Sequence, residues 1–374
     1  MKTQKIWWEQ TPNPEHFIKY TANSLLEGNS ILIPDYNFIP WASYFIEKIK
    51  NILTEGNSIK SREEITDEIK NVGKYILDNY CRNKKNDFRY AVGYAKFIAQ
   101  QDKIPFHDRF FLIYLNENML DEWAKFIEEY KQLRGEKPKA VFLLLLETED
   151  YDAKKISNRK GVEIYSFKDS INEYDRMVFA MLASYSLKCS SLLKTYLTEL
   201  ACNVAGDNIE LCSECLQKHE DFLKDPVHVI KNIIENETDS NGNQFQFSKT
   251  DDEIEQAVWT AQIRTFYPLL EEYRRDFIKK YRNNIEQHLP ITTSSFEEKI
   301  SEPEEIGLGI LCYMTTEDYC SKTGKRLYIN DKKEKDELFI FKDARNSLSH
   351  LHSLSFEEIQ ELLETSFVKN RSKI

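Results

Sequence analysis

Apolar residues in the first half of the chain come in short unbroken runs. Four of them, Ser30–Pro34, Phe110–Leu115, Ala140–Leu146 and Val162–Phe167, read as strands. Between them lie stretches with helical spacing, from Trp41 to Leu53 and from Leu120 to Leu133, and residues 56–103 read as helical, with Ile69 to Tyr80 the clearest part. Continuous apolar strands separated by helices predict a parallel sheet covered on both faces. From Ser170 onward the pattern becomes almost wholly helical. Asp175 to Leu200 reads as one long buried helix or a bent pair, and Asn236 to Asp251 as a polar loop. Thr250 and Glu253 form a capping box that opens a helix to about Tyr267, leading through Pro268 into Leu269–Leu289. Ile291 to Pro303 reads as a linker and Ser321 to Asp336 as a basic loop. A helix follows from about Glu337, and Ser355 caps a last one from Phe356 to Phe367. The expected architecture is an α/β domain over residues 1–170 and an all-α domain over 171–374.

Composition agrees with a folded, helix-rich chain: 22 Phe and 20 Tyr stand against only 11 Gly and 10 Pro in 374 residues. A net charge of -11 argues against a general coat for nucleic-acid backbones but leaves a local basic groove open. The seven cysteines lack the dense spacing of a secreted disulfide scaffold. Residues Met1 to Glu9 lack the apolar core of a signal peptide, and the run Ala140–Leu146 is far short of the ~20 residues that span a bilayer. A cytoplasmic location, no membrane contact and no cofactor are expected.

The most informative stretch is Phe341-Lys342-Asp343-Ala344-Arg345-Asn346-Ser347-Leu348-Ser349-His350-Leu351-His352-Ser353-Leu354. Phe341, Ala344, Leu348, Leu351 and Leu354 repeat at helical spacing and are expected to form one buried stripe. Asn346 and His350, four apart, share a helical face. Arg345 and His350 are about 140° apart around the axis at roughly 100° per residue. One copy therefore does not make a tight Arg–His pair, whereas two copies meeting across a dyad build a composite polar cleft. The plain structural alternative has Asn346 and His350 bonded to neighbouring helices and Arg345 paired with a carboxylate such as Asp343.

Arg345-Asn346-x-x-x-His350 resembles the R-x4-6-H motif of the HEPN superfamily, helical domains that often act as metal-independent ribonucleases and dimerise through the motif helices. The resemblance covers the last third of the chain and rests on Arg345, Asn346 and His350. It implies that an RNA 2′-hydroxyl attacks its adjacent phosphate to leave a cyclic phosphate. His350 would serve as general acid or base, the imidazole being suited to proton transfer near neutrality. Arg345 would stabilise charge on the phosphoryl oxygens, and Asn346 would orient the imidazole or bind phosphate.

The strand–helix succession before residue 170 is similar to the core of AAA-type and STAND-type P-loop ATPases, with Ser30–Pro34 at the Walker A strand, Phe110–Leu115 at the Walker B strand and Ala140–Leu146 at the sensor strand. The chemistry departs from that family. The loop Asp35-Tyr36-Asn37-Phe38-Ile39-Pro40 has no glycine and no Gly-Lys pair to cradle a phosphate, and Tyr114-Leu115-Asn116-Glu117 puts no aspartate at the strand end. No NTPase activity is expected. Proteins joining such a fold to a HEPN-like domain resemble components of bacterial anti-phage or toxin–antitoxin systems. The expectation is therefore a ribonuclease acting as a homodimer on RNA, as an effector of such a system. The alternative is a non-catalytic scaffold or sensor subunit that dimerises or holds a protein partner.

Three further groups carry weaker signals. Arg275, Lys279 and Arg282 form a basic strip on one helical face, readable as an RNA contact or as a solvated face paired with Glu271, Glu272 and Asp276. Cys212, Cys215 and His219 have the spacing of three zinc ligands, but no fourth is evident and reduced cysteines are expected, with no metal. Glu147, Glu149, Asp150 and Asp152 follow a strand and are expected to be solvated.

Overall fold

The computed structural model describes residues 3–55, 61–66, 69–146, 160–292 and 299–371. The chain divides into two compact units, Met1–Phe179 with Ser240–Asn243, and Ala180–Asp239 with Gln244–Ile374. The first is built on a parallel sheet and the second is largely helical.

The first unit runs α1 (Thr3–Gln10), α2 (Pro12–Leu26), β1 (Ser30–Ile33), α3 (Ala42–Thr54), β2 (Ser61–Ile65), α4 (Val72–Tyr80), α5 (Tyr94–Gln100), β3 (Arg109–Leu115), α6 (Glu117–Arg134), β4 (Val141–Leu146), β5 (Val162–Ile164), α7 (Phe167–Ser170) and α8 (Glu173–Ser184), whose last turns belong to the second unit. Strands pair in parallel in the order β2-β3-β4-β1-β5. The chain leaves β1 toward β2 and returns through β3 and β4 past β1 to β5. Because parallel crossovers are right-handed, the outgoing helix and the returning helices must lie on opposite faces. So they do. Phe111, Ile113, Phe142 and Leu144 pack with Ile76, Ile98, Trp123 and Ile127 of α4, α5 and α6 in one core. On the other face α2 lies against β1 and β4, with α3 beside it.

One expectation fails here. Residues 56–103 were expected to be helical, yet Ser61–Ile65 is an edge strand paired with β3. Its sequence, Ser-Arg-Glu-Glu-Ile, buries Ile65 and carries charge elsewhere, as edge strands do to blunt their open side. Glu63 forms an ion pair with Arg109 of β3 across the ladder.

In the second unit, α9 (Ser191–Ala205), α10 (Ile209–Gln217), α11 (His219–Lys224) and α12 (Pro226–Asn236) precede the long α13 (Asp251–Glu286). A hairpin, β6 (Ile291–Thr292) with β7 (Lys299–Ile300), leads to α14 (Leu308–Met314), α15 (Glu317–Thr323), α16 (Lys332–Ser349), α17 (Phe356–Glu364) and α18 (Ser366–Arg371). The segment expected as one long helix or a bent pair is the pair α8 and α9. The expected capping box at Thr250 and Glu253 opens α13, which continues through Pro268 without ending. The stretch Ser321–Asp336, expected as a loop, contains the end of α15 and the start of α16.

α13 is the spine of this unit. Tyr196 of α9 packs on Phe266, with ring centroids 5.1 Å apart, and Phe341 of α16 stacks on Tyr273 at 3.7 Å. α16 runs antiparallel to α13: Glu334 near its start meets Lys280 and Tyr281, while Leu348 near its end meets Trp259. Among the described residues no helix is long and apolar enough to cross a membrane.

Candidate functional site

The three motif residues lie in the last turns of α16. Phe341, Ala344 and Leu348 are buried as the periodicity predicts, which turns Arg345, Asn346 and His350 outward from that stripe. The helix then stops, and the expectation that Leu351 continues the stripe is wrong. Leu351 has a φ of 63° and is 72 % exposed. Its N–H donates to the Leu348 carbonyl (3.3 Å) and the His352 N–H donates to the Ser347 carbonyl (2.9 Å). This pair of bonds is the Schellman termination, with His350 as C-cap and Leu351 in the left-handed position that glycine normally takes. Leu354 is buried again, but beyond the helix.

Two residues of α13 hold this turn. The Trp259 indole N–H donates to the Leu348 carbonyl at 2.9 Å. Gln262, 1 % exposed, donates from Nε2 to the Leu354 carbonyl at 2.9 Å and accepts the Leu354 N–H at 2.6 Å. Between these anchors His350, Leu351, His352 and Ser353 are all exposed. Neither anchor was found by motif reasoning. The available signal was a glutamine at an apolar-stripe position of α13, between Ala261 and Thr265.

Within the motif, Arg345 donates from Nη1 to Oδ1 of Asn346 at 3.3 Å. Arg345 is therefore not committed to Asp343, which pairs instead with Lys342 at 2.6 Å. With its oxygen facing the guanidinium, Asn346 keeps its NH₂ group for other acceptors. The imidazole of His350 has no hydrogen-bond or ion-pair partner among the described residues; only its backbone is tied, to the Asn346 and Ser347 carbonyls. So one copy brings Arg345 and Asn346 together and leaves His350 open on Asn346's side of the helix.

The basic strip is elsewhere. Arg275 lies sixteen residues beyond Trp259 on α13, about 24 Å along the axis at 1.5 Å per residue. With Arg274, Ile278, Lys279, Arg282 and Glu304 it lines a hollow of about 270 Å³. Arg282 is clamped by Glu286 at 3.0 Å and Glu304 at 2.5 Å, and it holds the Glu304 carboxyl below the usual carboxylate range. Arg275 approaches Asp276 at 3.8 Å. Glu271, expected to serve this strip, takes Arg274 at 2.7 Å, and Glu272 takes Arg371. Of the three cations Lys279 alone has no carboxylate among the described residues. Carboxylates thus dilute the strip, and it does not extend the motif surface.

Cys212 and Cys215 are buried on α10, and burial pushes the Cys215 thiol well up from its ordinary value, so it remains a protonated, apolar filler. His219 starts the next helix. Among the described residues no group of three or more His, Cys, Asp or Glu is placed to hold a metal ion. The acidic cluster Glu147, Glu149, Asp150 and Asp152 lies outside the described residues.

In the first unit, ligands of open parallel sheets bind beyond the carboxyl ends of the strands where connections diverge, here at β1 and β4. The loop after β1 is closed by its own side chains. Buried Asp35 accepts hydrogen bonds from the Phe167 N–H (2.9 Å), the Lys168 N–H (2.6 Å) and the Ser166 hydroxyl (3.0 Å). Its carboxylate takes the donors at the start of α7 that an external anion would use. Tyr36 packs edge-on to Tyr114 at 5.6 Å, filling the gap toward β3.

Fold and site define a parallel-sheet α/β unit followed by a largely helical unit whose motif helix ends in an exposed, anchored turn. No family model matches the chain, and no curated protein matches it.

Proposed function

We propose that the chain is a HEPN-like, metal-independent endoribonuclease whose working centre is composite. Two copies would meet along α16 and supply Arg345, Asn346 and His350 to one cleft. The observation that carries this reading is the exposure of His350 on a turn fixed from both sides by Trp259 and Gln262. A merely structural histidine would be bonded into the helical packing; this one is held at a defined place and left open. A fixed position matters because proton transfer needs the imidazole within hydrogen-bond reach of the reacting oxygen. Arg345 supplies a cation for the phosphoryl oxygens and Asn346 a free NH₂ donor beside it. The 2′-hydroxyl of the RNA attacks its neighbouring phosphorus, the 5′-oxygen leaves, and the products are a cyclic phosphate and a free 5′-hydroxyl. The imidazole takes or returns the proton.

The test is cleavage of labelled RNA in EDTA. Wild type should cut RNA and spare the same sequence with 2′-deoxyribose, and His350→Ala and Arg345→Ala should each lose the activity. Mixing the two variants should restore part of it, because a mixed dimer rebuilds one intact cleft. Absence of cleavage by wild type, or cleavage untouched by both changes, ends the proposal.

A second reading follows from Asp35. With the α7 start occupied by an internal carboxylate, the first unit supports a degenerate NTPase-like fold used as a scaffold or sensor, consistent with a subunit of a defence complex. It predicts no RNA cleavage and no nucleotide binding by calorimetry.

A further inference from the structure

The surface of the first unit carries an aromatic and basic platform. Residues 81–96, Cys-Arg-Asn-Lys-Lys-Asn-Asp-Phe-Arg-Tyr-Ala-Val-Gly-Tyr-Ala-Lys, hold five cations against one carboxylate in a chain of net charge -11. They fold as two short 3-10 turns, Arg82–Asp87 and Tyr90–Val92, leading into α5. Tyr90 is 81 % exposed, as Tyr185 and Tyr174 nearly are, but here the open ring stands among cations and other rings. It is not loose. Its ring stands edge-on to Phe88 at 5.4 Å and to Tyr94 at 6.1 Å, and those two stack on each other at 4.6 Å and 15°.

The stack is itself built into the fold. Tyr94 lies directly on Gly73 of α4, where an added Cβ would come within 2.3 Å of the Tyr94 Cβ, so only glycine admits this approach. Arg89 is held beside Tyr90 by donating from Nη1 to the carbonyls of Asn86 and Phe88, both at 3.0 Å. Arg82 is fixed to the Asp78 carbonyl at 3.3 Å. Both guanidiniums are exposed and fixed by carbonyls, and neither is paired with a carboxylate among the described residues. Lys84 reaches Asp87 only at 4.0 Å, whereas Lys85 is paired with Asp78 at 2.7 Å.

We infer that this platform binds single-stranded nucleic acid, with an unpaired base stacked on Tyr90 and flanking phosphates on Arg82, Lys84 and Arg89. An exposed ring held by other rings, next to cations fixed by backbone carbonyls, is the combination that recognises such strands. A duplex keeps its base faces covered and offers Tyr90 nothing. This contact stands independently of cleavage at His350.

The experiment is fluorescence anisotropy with labelled 12-mers of oligouridylate and oligothymidylate, using the full chain with His350→Ala so that no probe is consumed. At about 50 mM salt both strands should bind, with a duplex of equal length binding more weakly. Tyr90→Ala should weaken binding about tenfold and Tyr90→Phe should leave it nearly unchanged. Arg82→Ala with Arg89→Ala should weaken it and flatten the salt dependence by roughly 0.7 per lost phosphate contact. Binding of one strand type only identifies the sugar recognised and upholds the platform. No binding by the parent protein, equal binding of duplex, or indifference to Tyr90→Ala overturns it. These are surface positions, so thermal unfolding of the variants should match the parent, and RNA cleavage by the native His350 protein is scored separately.

Discussion

Gln262 holds Leu354 through both polar groups of its backbone, donating to the carbonyl at 2.9 Å and accepting the N–H at 2.6 Å. A side-chain amide here does what a neighbouring strand would do, and it closes the turn that presents His350. Nε2 also reaches the Tyr196 hydroxyl at 3.2 Å, so α9, α13 and the motif turn are joined at one buried point.

Gln262→Met keeps the volume and removes the bonds, stranding the Leu354 N–H and carbonyl in the interior. The expected cost is about 1–3 kcal/mol, read as a lowered urea midpoint with an unchanged slope. If the held turn also serves cleavage, RNA cutting should fall further than the folded fraction does.

Leu351 carries strain that the Schellman turn imposes. A left-handed conformation costs a residue with a Cβ roughly 1–2 kcal/mol, partly offset in a glycine variant by the entropy glycine loses on folding. Leu351→Gly should therefore raise the unfolding free energy by about 0.5–1 kcal/mol, since the 72 % exposed side chain gives up little packing. A destabilised variant would show that Leu351 is buried against something in solution, and a second copy of α16 would be the first suspect.

The same residue shows where the sequence was opaque. The spacing of Phe341, Ala344 and Leu348 gave the buried face of α16 correctly because packing and periodicity agree there. The end of the helix was illegible because its left-handed position is a leucine, whose apolar character at i+3 prolongs the pattern. In the first unit the apolar runs of β1, β3 and β4 were legible because strands buried on both faces need few polar positions, and the edge strand β5 because Val162 and Ile164 flank Glu163 in alternation. β2 was not, since an edge strand of Ser-Arg-Glu-Glu-Ile is specified by its ladder with β3 and not by its own residues. Asp35 was visible only as a missing phosphate loop; that its carboxylate caps α7 depends on a partner more than a hundred residues away.

His107 is 4 % exposed at the amino end of β3. The Ala140 N–H donates to the Tyr130 oxygen (3.1 Å), Tyr130 lies 2.7 Å from Nδ1 of His107, and Nε2 lies 2.6 Å from the Gln101 carbonyl. A carbonyl only accepts, so Nε2 carries the proton and Nδ1 takes the tyrosine's. Burial, with Arg134 nearby, lowers the His107 pKa from its ordinary value despite the carbonyl bond. Between the folded value and about 6.5 the unfolded chain binds more protons, so this stability is complete above pH about 6.5 and is lost as the pH falls through that window. His107→Gln should reduce the loss of melting temperature between pH about 7 and 5.5; an unchanged loss would assign it to other groups.

Lys131 titrates on the other side of neutrality. Its ammonium is buried at the entry to β1 and β5, donating to the carbonyls of Gly28 (2.7 Å) and Gly161 (3.1 Å), and no carboxylate pairs with it among the described residues. Burial, with Lys139 adding repulsion, pushes its pKa down to about 7. The free amine still has two N–H groups, one for each carbonyl, so deprotonation keeps both bonds and removes the buried charge. Between pH 7 and about 10.4 the unfolded chain carries the extra proton, and stability should rise with pH across that window by an amount on the order of a few kcal/mol. Lys131→Met should abolish the rise while stranding the Gly28 carbonyl and leaving Gly161 only the Ser30 N–H (3.3 Å), so it should be less stable than the parent at pH about 9 and closer to it at pH about 6. Parallel pH profiles for the two proteins would place the proton elsewhere.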